Sequence, residues 1–343
     1  MGGHVSGCRD CGSISYHYNS CRNRHCPKCQ TVSRERWILQ RESELLPVAY
    51  FHIVFTLPHQ FNEMVGRYPK EVYGALFTAS WQTIRQFASD SRYLGARTGM
   101  VAVLHTWGQQ LWLHPHLHCI VPGGGITPQG KWKQARNKGK FLFPTKAMAM
   151  VFRAKYMSAL RSQVVIPQCI AKAVMSKRWV IYAKQPFSSP KTVVEYLGRY
   201  THKIAISNHR LKSIDKGMVS FTYKDYTQAG KQKTMTLKAE EFLCRFSLHI
   251  LPKGFVRMRH YGMLASKNKS KELNIAKSYF GQTPWEVLKI DWIEIAQTKL
   301  GIDPNRCKEC GGELAIIKRL PTQRGPLGIF CQPNTIIKQV YAS

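Results

Sequence analysis

The chain has 343 residues, 44% of them hydrophobic, and carries 51 Lys+Arg against 19 Asp+Glu for a formal charge of +32. Length and apolar content exclude wholesale disorder and allow one large domain with one or two small ones, while the charge points to nucleic acid as the partner. No apolar run approaches ~18 residues and none follows the N-terminus, so a membrane span or secretory signal is not expected and a cytoplasmic location is.

In that compartment thiols stay reduced, so clustered members of the eleven cysteines read as metal ligands rather than disulfides. Residues 1–36 are too poor in aliphatic side chains to bury a core and need a staple. Cys8, Cys11, Cys26 and Cys29 supply two C-x2-C pairs separated by 14 residues, a pattern that grips a tetrahedral Zn2+. Cys21 and His25 lie in the same loop and are alternative ligands. Arg9, Arg22, Arg24 and Lys28 give this module a basic face suited to phosphate.

A helix is expected over 34–46, stopped by Pro47, then a strand over 50–57 and helical spacing from 60 to 90. Residues 101–107 and 111–121 flank Gly108 and read as a β-hairpin whose second strand carries His114, His116 and His118. A helix at 145–163 and a strand at 179–182 follow. Ser189 and Pro190 fit an N-cap and first helical position, predicting a short helix from about 190 to 201. Strands at 204–207, 218–223 and 234–237 precede a helix at 239–250. Residues 266–306 are Lys-rich and then helical, leading to Cys307-x2-Cys310, half a zinc knuckle with only Cys331 after it. No βαβ repeat runs through this order, so the expected fold is α+β, a mainly antiparallel sheet flanked by helices beside a small N-terminal zinc-binding module. The expected division is a zinc module over 1–36, a main domain over 47–265 and a basic C-terminal region over 266–343.

Two short patterns carry the chemistry. If residues 111–121 are a strand, His116 and His118 point to one face and can hold a divalent ion with open positions, which acts on a phosphate as a Lewis acid. His114 joins that alternation as a third ligand or a structural residue, although Pro115 interrupts the ladder; His105, His52 and a polar side chain near the tyrosine helix are further candidates. If residues 190–201 are helical, Tyr196 and Tyr200 share a face at i,i+4 and can serve as paired nucleophiles. Arg199 and Lys203 each follow a tyrosine by three positions and are placed to hold phosphate or stabilise a phenolate. Gly125–Lys131 approximates a phosphate-binding loop, but Trp132 stands where Ser or Thr would coordinate Mg2+, so nucleotide binding is not expected. Arg257, Arg259, His260 and Tyr261 form a basic, aromatic cluster suited to nucleic acid.

Five segments in order, CRNRHCPKCQ at 21–30, FTLP at 55–58, LHPHLHCIVPGGG at 113–125, YLGRYTHK at 196–203 and LPKGFVRMRHYG at 251–262, resemble transposases of the IS91 family, members of the HUH endonuclease superfamily. The resemblance covers residues 1 to about 265. It implies His116 and His118 as the pair that binds Mg2+ or Mn2+, Tyr196 and Tyr200 as nucleophiles, Lys203 as the lysine after the nucleophile, and residues 8–29 as the zinc-binding domain. It further implies rolling-circle movement: nicking of single-stranded DNA at the element's ends through a 5′-phosphotyrosine and joining to target DNA. No helicase motif is visible in the sequence, so unwinding is expected to fall to a host helicase. Relatives usually place a helical segment before the zinc cysteines, so a shortened copy is expected. Two rival readings are a plasmid replication initiator or relaxase with the same chemistry, and a noncatalytic zinc protein that binds DNA.

Overall fold

The computed structural model describes residues 2–21, 23, 26, 30–135, 142–183, 187, 192–194, 198 and 205–322. Tyr196, Arg199, Tyr200, Lys203 and Cys29 lie outside the described residues. The chain divides into two compact units, one from Met1–Ser43 and Val287–Gln332, the other from Glu44–Thr201 and Ala205–Glu286.

The smaller unit holds β1 (Gly3–Cys8), β2 (Ile14–Tyr18), α1 (Thr31–Ser43), α8 (Trp292–Leu300) and β13 (Leu314–Leu320). Its sheet has the antiparallel order β13-β1-β2. The last strand among the described residues thus pairs with the first, where the sequence assigns these two segments to separate modules. Gly3 and Gly7 and the polar Ser6 give β1 no apolar alternation, which is why this strand escaped notice.

In the larger unit the first elements are β3 (Tyr50–Thr56), α2 (Asn62–Arg67) and α3 (Pro69–Ser89). The helical stretch expected from 60 to 90 breaks at Tyr68, whose ψ is 55°, because the residue before a proline is pushed out of the α region. Pro69 then opens α3 at a position where its missing N–H costs nothing. Val72, Leu76, Thr83 and Phe87 recur at helical spacing along the buried face of α3. β4 (Gly99–Trp107) and β5 (Leu113–Pro122) form the expected hairpin, and β6 (Gly124–Ile126) pairs with β7 (Trp132–Gln134). The glycine-rich stretch before Lys131 is therefore a hairpin and does not lead into a helix. Then come α4 (Thr145–Arg161), α5 (Gln168–Ser176) and β8 (Ile181–Ala183). Residues 192–194 and Gly198 are helical, inside the span where a helix was expected.

The rest of this unit comprises β9 (Leu211–Asp215), β10 (Met218–Asp225), β11 (Lys231–Lys238), α6 (Ala239–Ser247), β12 (Met258–Gly262) and α7 (Lys269–Tyr279). The strand expected at 204–207 is not a ladder strand among its described residues. Ala205 and Ile206 lie in a bend and are buried against Phe221 and Leu237, so their apolar character reflects packing rather than pairing.

The main sheet is five-stranded and antiparallel in the order β12-β4-β5-β3-β8. One face is buried: Phe51, Ile53 and Phe55 of β3, Met100, Ala102 and Leu104 of β4, and Leu117, Cys119 and Val121 of β5 join a single core with α3 and α4. Phe55, fully buried, meets Phe152 of α4 edge-on at 4.9 Å. The structure is the expected α+β arrangement, an antiparallel sheet flanked by helices. No helix among the described residues is long and apolar enough to cross a membrane.

Candidate metal centres

Strand alternation decides what the other face of the sheet carries. With Leu117, Cys119 and Val121 committed to the core, His114, His116 and His118 must project from the opposite side. On β4 the same rule sends Val103 and His105 to that side, and on β3 His52, Val54 and Thr56. Register then brings these residues together, since His105 pairs with His116, and His118 sits between Val103 and Val54.

Ring nitrogens of His105, His116 and His118 all lie within 4.8 Å of one another. His105 is 3% and His118 8% exposed, and His116 is half-buried. The indole of Trp107 stacks on His105, with centroids 4.7 Å apart and planes 18° apart, which fixes that ring. His116 Nδ1 lies 2.6 Å from the carbonyl oxygen of His114. A carbonyl accepts only, so Nδ1 carries a proton, and in the neutral ring Nε2 is then the nitrogen with the lone pair. His114 thereby contributes its backbone oxygen, and its ring is not in the three-nitrogen group.

The hairpin tip behind this cluster is pinned. His249, buried after α6, lies 3.2 Å from Thr106 Oγ1 and 3.0 Å from the carbonyl of Leu111. Arg245 covers Trp112 at 3.7 Å and donates to the carbonyl of Gln110 at 3.2 Å. Three imidazoles on paired strands, with rings held by neighbours, suit a divalent ion with open positions.

The smaller unit holds a second cluster. Sulfurs of Cys8, Cys11, Cys307 and Cys310 all lie within 4.8 Å of one another, with Cys8–Cys310 at 3.5 Å and Cys11–Cys307 at 3.8 Å. A tetrahedron with Zn–S near ~2.3 Å has sulfur–sulfur edges of about 3.8 Å, so two of the thiol pairs already stand near that edge and all four lie close enough to share one Zn2+. The two pairs are built alike. Cys8 N–H donates to Ser13 and Cys307 N–H to Gly312, while Gly12 donates back to Cys8 and Gly311 to Cys307. The turns close with φ of +72° at Gly12 and +76° at Gly311, a conformation that favours glycine. Backbone N–H groups of Cys11 and Asp10 aimed at the Cys8 sulfur draw its pKa down to about 7, toward the thiolate that a metal requires.

This set differs from the one expected from spacing. Cys26 is half-exposed and outside the four-sulfur group, Cys29 lies beyond the described residues, and Cys307 and Cys310 stand beside Cys8 and Cys11. The pairing of β1 with β13 sets Cys8 opposite Leu314, which carries the C-terminal knuckle to the N-terminal one. The half knuckle that lacked a partner in sequence has one in space.

Of the remaining expected contacts, Arg259 lies on the helix-covered side of β12, opposite Ala102, with its guanidinium 4.3 Å from the Phe77 ring and 5.3 Å from that of Phe255. It lines an open cavity of about 730 Å³ with Lys70, Lys253, Phe255 and Tyr261. Arg257 precedes β12, and its carbonyl accepts from Leu104 N–H at 2.8 Å. Neither arginine is on the histidine face by way of strand alternation.

Comparison with known proteins assigns the chain. A family described as "Putative transposase" matches residues 99–271, and one described as "Transposase zinc-binding domain" matches residues 1–57. The first span contains β4, β5 and β12 with the three clustered histidines; the second contains Cys8, Cys11, Cys26 and Cys29 but not Cys307 or Cys310. The chain is 42% identical over 301 residues to "Putative transposase y4qJ" of Sinorhizobium fredii (strain NBRC 101917 / NGR234), covering 82% of this chain and 75% of that protein. It is 29% identical over 326 residues to "Transposase for insertion sequence element IS801" of Pseudomonas savastanoi pv. phaseolicola, covering 91% of this chain and 78% of that one. No solved structure matches it. Together the two family matches and these relatives show that the chain belongs to the IS91 family of transposases, enzymes that act on DNA.

Proposed function

We propose that the protein is a metal-dependent tyrosine endonuclease and strand transferase that nicks single-stranded DNA at the ends of its element and rejoins it to target DNA by a rolling-circle route. The observation that carries this reading is the cluster of His105, His116 and His118 on the face of the sheet turned away from the core. Those three residues would hold Mg2+ or Mn2+, with His105 as the third ligand beside the expected pair. When bound, such an ion supplies Lewis-acid polarisation of the scissile phosphate.

Tyr196 and Tyr200 are the proposed nucleophiles. A phenol oxygen loses its proton and forms a bond to phosphorus while the bond to the 3′ oxygen breaks, and the departing 3′ oxygen takes up a proton to become the free 3′ hydroxyl. The 5′-phosphotyrosine conserves the energy of the phosphodiester, so rejoining needs no ATP. An unaided phenol costs about 4 kcal/mol to ionise near neutral pH; Lys203 and Arg199 are assigned to offset part of that cost and to grip phosphate. Arg257 and Arg259 are assigned to the DNA backbone, and a host helicase to unwinding.

Zn2+ has a structural role in this reading. Its proposed ligands are Cys8, Cys11, Cys307 and Cys310, in place of the set with Cys26 and Cys29, because these four sulfurs stand at tetrahedral spacing.

The experiment incubates full-length protein with single-stranded oligonucleotides carrying the element's ends, with Mn2+ or EDTA, and resolves protein–DNA adducts on a denaturing gel. An adduct that needs Mn2+, disappears in His116→Ala and disappears in the double variant Tyr196→Phe, Tyr200→Phe is expected. An adduct retained by the double variant would refute the nucleophiles, and one that forms equally well in EDTA would refute the ion.

A further inference from the structure

We propose that His52 is a positioning residue for the histidine centre, holding the His118 ring in the tautomer whose Nε2 can take a metal ion. The inference rests on reading His105, His116 and His118 as a divalent-ion site. His52 stands on β3, the strand beside β5, opposite Ile120 and therefore one diagonal step from His118 on the same face. Its Nε2 lies 2.9 Å from His118 Nδ1. The two rings are nearly parallel, 8° apart with centroids at 5.1 Å, and His52 is only 2% exposed.

Two neutral imidazoles in this contact share one proton between the facing nitrogens, and the choice decides the function of His118. If His118 Nδ1–H donates, His118 Nε2 keeps a lone pair and can ligate. If His52 Nε2–H donates, His118 Nδ1 accepts and its Nε2 carries the proton, which closes that nitrogen to a metal. His52 acting as acceptor therefore selects the ligating form. The same logic operates at His116, where the His114 carbonyl fixes the proton on Nδ1. Both expected ligands thus have Nδ1 engaged by a neighbour, one by backbone and one by a buried side chain. An acceptor of this kind orients the ring and raises its basicity without adding charge.

The test measures Mn2+ affinity of full-length protein by the EPR signal of free Mn2+, alongside the 15N spectrum of histidine-labelled, metal-free protein. Wild type is expected to bind Mn2+ and His116→Ala to lose it. His52→Leu should bind roughly 10–100-fold more weakly, while His52→Gln, whose Oε1 can accept from His118 Nδ1–H, should stay within several-fold of wild type. The 15N spectrum should show His118 protonated at Nδ1, a readout that holds even where a variant folds poorly. His52→Leu binding as wild type does, or His52→Gln as weak as His52→Leu, or His118 protonated at Nε2, would each overturn the role of His52 while leaving the ion site in place. Equal Mn2+ affinity in wild type and His116→Ala would instead remove the site itself, and the inference with it.

Discussion

Replacing Cys307 and Cys310 together by serine should remove one equivalent of zinc from the protein and unfold its smaller unit. Sulfur–sulfur distances of 3.5 and 3.8 Å match tetrahedral edges of about 3.8 Å, so little of the binding energy goes into rearrangement. Structural zinc sites of this kind supply roughly 10–16 kcal/mol of apparent free energy near neutral pH. Closing a loop between thiols 296 positions apart accounts for roughly 5–6 kcal/mol of configurational restraint on the unfolded chain, by the relation used for cross-links. Either figure is comparable to the whole stability of an ordinary domain, about 5–15 kcal/mol. Two serine hydroxyls cannot replace two thiolates, so the sheet of β1, β2 and β13 is expected to lose protection entirely. Zinc released on denaturation, counted per protein chain with a chromogenic chelator, reads the stoichiometry; amide exchange over residues 3–18 reads the unfolding. Cys26→Ser should keep this equivalent. Loss of zinc in Cys26→Ser, with full zinc in the Cys307, Cys310 variant, would refute the ligand set.

Two further expectations concern the larger unit. Phe55→Ala removes a fully buried ring between β3 and α4 and should cost about 3–5 kcal/mol, measured as a fall in the urea midpoint at unchanged slope; a loss under ~1 kcal/mol would mean that the core collapses around the gap. Asp225 accepts from Lys233 Nζ at 2.8 Å and from Thr227 Oγ1 at 2.6 Å, and these bonds, Lys233 first, hold its pKa down to about 2. The folded value is below the unfolded one of ~3.9, so the contribution is fully present above that pH and is lost as pH falls through about 2. Asp225→Asn should therefore trail wild type by a constant margin above pH ~5 and close the gap in acid, as followed by urea unfolding at several pH values. A gap undiminished at the most acid point would contradict the assignment.

Several features of this molecule were legible before any coordinates. The run from Leu113 to Val121 alternates apolar and imidazole side chains, and a period of two can satisfy a half-buried strand in only one way. His116 and His118 had to share a face for that reason. His105 was harder to select because its position beside His116 depends on the register of β4 against β5, and the pairing shifts between His105 and Trp107. No spacing rule reports a bulge. The cysteine set shows the same limit at larger scale. Local spacing joins Cys8 and Cys11 to Cys26 and Cys29, and only the pairing of β1 with β13 reveals that Cys307 and Cys310 also lie beside the first pair. β12 is hard to see as a strand in the sequence because Arg259 and His260 read as surface. At the edge of a sheet, charged residues of this kind are what keeps a strand from recruiting another chain.

The proposed zinc centre pairs thiols at positions 8 and 11 with thiols at 307 and 310, and such a centre imposes an order on synthesis. The N-terminal thiols leave the ribosome 296 residues ahead of their counterparts, a wait of roughly 15–60 s at ~5–20 residues per second. By then the last strand of the histidine-bearing sheet, ending at Gly262, has already been translated. With these ligands, metal loading would be a closing event in biogenesis, and a frameshift between codons 262 and 307 would yield a product with its five-stranded sheet encoded but its cysteine clasp open.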